Sequence, residues 1–187
     1  VLDMLCLVIL IVIQTLAAMK MSVLNKLLEQ RAYTDAHTGL PNKDACEVLL
    51  NNKETVAKHT ACMMFDLNNL KIINDTKGHS KGDQLILNFA RLLRNVIPQK
   101  DFVGRYGGDE FMVVIYNTSK TEIEDILKQL SREKDRLNSS GNNMPIDYAC
   151  GWAISDADSE CTIQMLLDKA DYYMYENKQA YKKSKKS

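Results

Sequence analysis

The chain has no Cys-x-x-Cys pair, no internal repeat, no low-complexity domain and no excess charge of either sign. Its five cysteines, Cys6, Cys46, Cys62, Cys150 and Cys161, are odd in number and scattered. That usage argues against zinc and for reduced thiols in a cytosolic domain. Lys and Arg total 24, as do Asp and Glu, so the formal net charge is +0. No global field draws in nucleic acid or anionic lipid, and any phosphate binding must be local. What remains is an ordinary globular mix, 45% hydrophobic and 26% charged over 187 residues, enough for one domain with a core and a short appendage.

The appendage is N-terminal. From Met4 to Ala18 the sequence is apolar except for Gln14 and Thr15. The run is shorter than the roughly 20 residues that cross a bilayer, but the chain begins at Val1. Residues 1–19 therefore read as the end of a transmembrane helix, with a buried or coiled-coil helix as the alternative. A signal peptide fits badly, because no basic region precedes the run. Lys20, Lys26 and Arg31 follow it, which marks the cytoplasmic side and predicts an inner or plasma membrane protein. Val23, Leu24, Leu27 and Leu28 continue a helical stripe through 20–33, a linker or signalling helix that could pair with a second copy.

Turn formers from Thr34 to Asn42 break that helix, and Asn42 is placed to cap another from Lys43 to about Asn52. Cys62-Met63-Met64-Phe65 reads as a buried strand delivering Asp66 at its end. A short helix follows from Asn68 to Asp75 and stops at Gly78; a longer one from about Asp83 to Ile97 is ended by Pro98. Ser119-Lys120-Thr121-Glu122 has capping-box spacing, and Ile123, Leu127 and Leu130 line the helix it opens. Ser139 to Asn143 is a loop, Ile146 to Ile154 a strand with one bulky face, and a last helix runs from about Thr162 to Lys178 into a lysine-rich tail at 184–187. Interleaved strands and helices with one hairpin predict an α/β sandwich (α+β), helices packed on a sheet.

The hairpin is the centre of interest. Arg105-Tyr106-Gly107-Gly108-Asp109-Glu110-Phe111 joins Phe102-Val103 to Met112-Val113-Val114-Ile115, with glycines expected to supply positive φ at the turn. Adjacent carboxylates repel, so Asp109 and Glu110 at such a tip suit a nearby cation. Asp66 at a strand end, and Asn74, Asp75 and Asp83 around the next helix, complete three polar clusters. Each acid alone is an ordinary surface group; carboxylates converging from different strands are a usual way to hold magnesium.

Gly107-Gly108-Asp109-Glu110-Phe111 spells the signature of the GGDEF domains, the bacterial diguanylate cyclases, which the chain resembles over 34–183. Asp35-Ala36-His37-Thr38-Gly39-Leu40-Pro41-Asn42 looks like the family's D-x-L-T-G-L-x-N. Asp66 through Asn74-Asp75, then Gly78-His79 and Gly82-Asp83, resembles D-x-D-x-F-K-x-x-N-D…G-H…G-D, and Ala170-Asp171, Tyr175 and Lys178 resemble A-D-x-A-L-Y-x-A-K.

The resemblance implies a fold similar to the nucleotidyl cyclase and polymerase palm, with a mostly antiparallel central sheet. It implies condensation of two GTP into cyclic di-GMP with loss of pyrophosphate, by a homodimer using Mg²⁺ or Mn²⁺. Asp66, the Leu67 carbonyl and Asp109 would hold the metal, with Glu110 a further ligand or polar contact. Asp109 would assist deprotonation, and Gly107 and Gly108 would let the backbone approach the nucleotide. Asn74 and Asp83 would read guanine; Lys71, Lys178 and Lys182 would meet the triphosphate.

The departures are specific. Pro98-Gln99-Lys100-Asp101 stands where the family often carries R-x-x-D, so no product inhibition through that site is expected. His37 stands for leucine, Lys43 for arginine, Asn68 for an acid, Leu70 for phenylalanine, and Tyr181-Lys182 for Gly-Arg. His79 reads as a structural hydrogen-bonding residue, and Trp152, Tyr172, Tyr173 and Tyr175 as core or interface. The rival function is a catalytically silent GTP-binding regulatory module.

Overall fold

A computed structural model describes residues 2–141, 144–155 and 160–184. Asn142, Asn143 and the tail lysines Lys185 and Lys186 lie outside them. The N-terminal run is one unbroken helix, α1 (Leu2–Tyr33), of 32 residues, about 48 Å at 1.5 Å per residue. No break falls between 19 and 20, and its apolar side chains, Leu7 and Val12 among them, stand exposed. It ends where Thr34 bridges Pro41 and Asp35 N–H donates to the Leu40 carbonyl, a loop closed by Gly39 at φ +71°. Asn42 caps α2 (Lys43–Leu50), accepting from Ala45 N–H at 3.0 Å.

The remaining elements are β1 (Ala61–Leu67), α3 (Leu70–Lys77), α4 (His79–Val96), β2 (Phe102–Arg105), β3 (Glu110–Ile115), α5 (Lys120–Ser139), β4 (Tyr148–Ile154) and α6 (Ile163–Ser184). The four strands form an antiparallel sheet in the order β2-β3-β1-β4. The α+β architecture expected from the sequence is present, as is the Ser119–Glu122 capping box at the start of α5.

Strand parity assigns the two faces. Met63, Phe65 and Leu67 of β1, with Phe111 and Val113 of β3, belong to the core shared with α4 and α5, where Phe65, Phe89, Phe111 and Tyr148 meet largely edge to face. Cys62, Met64, Met112 and Val114 face the other way, onto Leu166, Leu167, Ala170 and Met174 of α6. β4 shows α6 only Ala149, Gly151 and Ala153, while Tyr148, Cys150, Trp152 and Ile154 form its bulky face. Gly151 sits so close to α6 that an added Cβ would lie 2.1 Å from both the Ala170 carbonyl and the Met174 nitrogen. The small residues of β4 let α6 lie flush on the sheet.

Four expectations need correction. Neither Gly107 nor Gly108 adopts positive φ; the turn spans four residues between β2 and β3, long enough to reverse without it. The long helix starts at His79, because Gly78 at φ +86° both ends α3 and opens α4. His79 is an exposed first-turn residue, and the bridging histidine is His37, whose Nε2 lies 2.9 Å from the Asp83 carbonyl oxygen. Of the residues expected in core or interface, Trp152 packs against the core, but Tyr172, Tyr173 and Tyr175 are more than half exposed, which removes the core half of the expectation for them, because α6 buries its other face.

Candidate active site

Asp66 has the parity of Cys62 and Met64, and Glu110 that of Met112 and Val114, so both acids point to the α6 side of the sheet. They are direct cross-strand partners, where side chains start about 5 Å apart. One residue on, Leu67 N–H donates to the Asp109 carbonyl at 2.9 Å, tying the end of β1 to the turn. Two distant stretches of chain thus deliver Asp66, Leu67, Asp109 and Glu110 to one spot.

The electrostatics record the crowding. Burial comes first, then the charges of Asp109, Asp66 and Asp171, in raising the Glu110 carboxyl above its ordinary 4.5; Lys178 pulls the other way. Lys178 reaches back from α6 to Asp66, Nζ to Oδ2 at 2.5 Å. The other oxygen, Oδ1, is buried with no partner. Among the described residues, no three His, Cys, Asp or Glu side chains cluster as a ready metal cage. The donors that do meet are all oxygens, one of them an unpartnered carboxylate oxygen, and this set fits a hard divalent cation that takes further ligands from substrate.

A cleft of about 310 Å³ opens beside this spot, lined by Leu67, Lys71, Asp109, Lys178, Tyr181 and Lys182. Lys71, Lys178 and Lys182 are therefore brought together, as three cations around one cavity. Tyr181 is anchored by its hydroxyl to the Asp147 carboxylate.

Asn74 and Asp83 lie on the packed pair α3 and α4. Gly82 makes the contact possible: an added Cβ there would lie 1.9 Å from Asn74 Oδ1. That oxygen is buried and without a hydrogen-bond partner. Asp83 is exposed next to it.

Gly107 and Gly108 serve the turn differently from expectation. An added Cβ at Gly107 would meet Glu110 Oε2 at 2.5 Å, whereas Gly108 faces open space. Three contributors carry no role in the sequence reading. Arg105 pairs with Asp35 at 3.2 Å and donates to the Gly108 carbonyl at 2.8 Å; Asp171 adds its charge to Glu110; His37 holds the Asp83 backbone. Arg105, two residues before the signature, and Asp171, inside the closing motif, offered a signal; His37 stood out only as a departure from the family's leucine.

The sequence matches the family described as diguanylate cyclase, GGDEF domain, over residues 32–184. The chain belongs to the GGDEF family. "Diguanylate cyclase DgcP" of Escherichia coli is 30% identical over 165 residues, 86% of this chain and 48% of that protein. "Cyclic di-GMP phosphodiesterase PdeB" of Shewanella oneidensis is 32% identical over 146 residues, 77% of this chain and 17% of that one. The chain thus spans less than half the length of either relative. The crystal structure of the coiled coil and GGDEF domain of DgcB from Caulobacter crescentus, in complex with c-di-GMP, superposes with a TM-score of 0.76 at 23% identity, covering 89% of this chain and 91% of that one. At that identity the likeness establishes the GGDEF fold.

Proposed function

We propose that this chain is a diguanylate cyclase, joining two GTP into cyclic di-GMP and releasing pyrophosphate as a dimer. The observation that carries the reading is the cross-strand meeting of Asp66 with the Asp109–Glu110 turn beside a lysine-lined cleft. Asp66, the Leu67 carbonyl and Asp109, with Glu110 alongside, would hold Mg²⁺ or Mn²⁺, which supplies charge for the attacking oxygen and the leaving pyrophosphate. Lys71, Lys178 and Lys182 hold the triphosphate as point charges. Asn74 Oδ1 and the Asp83 carboxylate accept from guanine N1–H and N2–H, a donor edge that adenine lacks.

With the nucleotide so fixed, the work of the chain is positioning: the 3′-hydroxyl of one GTP is brought in line with the α-phosphorus of the other. The Asp109 carboxylate takes the hydroxyl proton, and the bond to pyrophosphate breaks as the new ester forms. Each protomer presents one GTP, so two must face each other. The Val23–Glu29 part of α1 is the proposed place of pairing. α1 is long and apolar enough to cross a membrane, and with Lys20, Lys26 and Arg31 beyond its apolar run it supports a membrane-tethered protein with its catalytic part in the cytoplasm.

The test is the mass of the product formed from GTP and Mg²⁺ by the full chain. Cyclic di-GMP is expected, with a loss of at least about a hundredfold on Asp109→Ala. Full turnover by that variant would refute the site. The second reading, a catalytically silent GTP-binding regulatory module, is favoured by the lysine that already occupies Asp66. GTP binding without any product would establish it.

A further inference from the structure

Lys178 answers to two partners. Its ammonium bonds Asp66 Oδ2 at 2.5 Å, with the Asp66 side chain only 8% exposed, and it also lines the cleft that holds Lys71 and Lys182. The helix that carries it is anchored on the sheet by its buried Leu166, Leu167, Ala170 and Met174, and lies flush on β4 at Gly151 one to two turns before Lys178. The four-carbon stem can swing even though the helix is fixed. An ammonium on one oxygen of a buried carboxylate opposes a divalent cation on the other, since like charges at close range repel strongly where water is scarce. A cation arriving alone is therefore opposed by the Lys178 ammonium, which can withdraw only into a cleft that already contains two lysines. A triphosphate in that cleft reverses the balance, giving the displaced ammonium a negative partner.

We propose that Lys178 exchanges between Asp66 and the triphosphate, so that the Asp66 site accepts a divalent cation only together with nucleotide. The inference rests on the assignment of Asp66 as a metal ligand and deepens it: the lysine is a positioning residue that keeps free metal out and couples metal loading to substrate. Coupling of this kind is reciprocal. The nucleotide tightens the metal, and the metal tightens the nucleotide, through one side chain.

The experiment titrates Mn²⁺ into the full chain in detergent micelles, reading free Mn²⁺ by electron paramagnetic resonance. It is run without nucleotide and with an α,β-methylene GTP that cannot lose pyrophosphate. In the parent, nucleotide-free binding is expected to be weaker than binding with the analogue by about tenfold or more. Lys178→Met should tighten nucleotide-free binding by about tenfold and shrink the effect of the analogue, whereas Lys178→Arg should keep the parent pattern. Lys178→Gln, which can still donate to Asp66, serves as the neutral variant if the methionine leaves the fold too weak.

Unchanged nucleotide-free affinity in both neutral variants, with Asp66→Asn still weakening Mn²⁺ binding, would overturn the exchange and leave the metal site standing. If Asp66→Asn alters Mn²⁺ binding neither with nor without the analogue, the metal site itself is wrong and the exchange falls with it.

Discussion

Arg105 spans the gap between the loop that follows α1 and the signature turn: Nη1 holds Asp35 Oδ2 at 3.2 Å while Nη2 donates to the Gly108 carbonyl at 2.8 Å. Asp35 is itself fixed, accepting from Thr38 N–H at 2.8 Å and from the Thr38 hydroxyl at 2.6 Å. The loop leaving α1 and the turn carrying Asp109 are thus braced by one guanidinium, with side chains only 17% and 21% exposed. Removing one partner strands the other. Arg105→Ala is expected to cost about 1–3 kcal/mol in denaturant unfolding, discounted from a fully buried pair, and to lower GTP turnover more than Arg105→Lys does. An alanine variant with parent turnover would show that the turn needs no brace.

The same pair sets an acid limit. Burial pushes the Asp35 carboxyl up, but the Thr38 hydrogen bonds and the Arg105 charge outweigh it, and the net direction is below the ordinary 3.8. A group depressed in the folded state contributes stability that is present above its unfolded value and is lost as pH falls through its folded value. Asp35→Asn should therefore lower stability at pH 7 and flatten the pH dependence below about pH 4, which urea midpoints between pH 2 and 7 would reveal.

The glycines divide by what surrounds them. Gly151→Ala has backbone on both sides and no flexible atom to yield, so a loss of about 3 kcal/mol or more is expected, with α6 displaced. Gly108→Ala, in open space and without positive φ, should change stability by less than about 1 kcal/mol. Gly107→Ala forces aside Glu110 Oε2, the end of a flexible side chain, and should reduce turnover with little change in melting temperature. Thermal unfolding and initial rates on the three variants separate these cases; equal stability of the Gly151 and Gly108 variants would refute the close packing of α6.

Much of this was legible in the residues because the local signals agreed with the final packing. The apolar run ending at Asp66, the paired runs around the signature, and the Ser119 capping box each became the expected element. What local pattern cannot carry is spacing across the fold. Gly82 falls outside the helix expected from about Asp83, yet it lies inside α4, where its missing side chain admits Asn74. The tyrosines of α6 look like core until Leu166, Leu167, Ala170 and Met174 claim the buried face. Lys178 and Asp66 stand 112 positions apart, and only the flush contact of α6 on β4 makes them partners.

Glu110 gives a prediction of opposite sign to Asp35. Its carboxyl is raised, chiefly by burial and then by Asp109, Asp66 and Asp171. Such a group contributes stability fully present below its unfolded value, and that contribution is lost as pH rises through the folded value. With chelator present, Glu110→Gln should melt higher than the parent at pH 7, and the difference should shrink toward pH 4. The same variant should lose turnover, a trade of stability for function. A variant less stable than the parent at pH 7 would show that Glu110 is held as a favourable ion pair instead.

Asp101 carries the last prediction. Where a product-binding aspartate would be solvent-facing, this one is 4% exposed, and its Oδ1 accepts the Tyr116 N–H at 3.1 Å. Pro98, three residues earlier, turns the chain: the Asp101 N–H donates to its carbonyl at 3.0 Å, and its ring offers nothing to a phosphate. Asp101 is thus occupied with joining the Pro98 turn to the end of β3. Asp101→Ala should cost about 1–3 kcal/mol by stranding a buried donor. It should leave the response to added cyclic di-GMP unchanged, because no product inhibition through this site is expected in the parent. Inhibition by cyclic di-GMP that disappears in Asp101→Ala would restore a product site here and contradict the structural role.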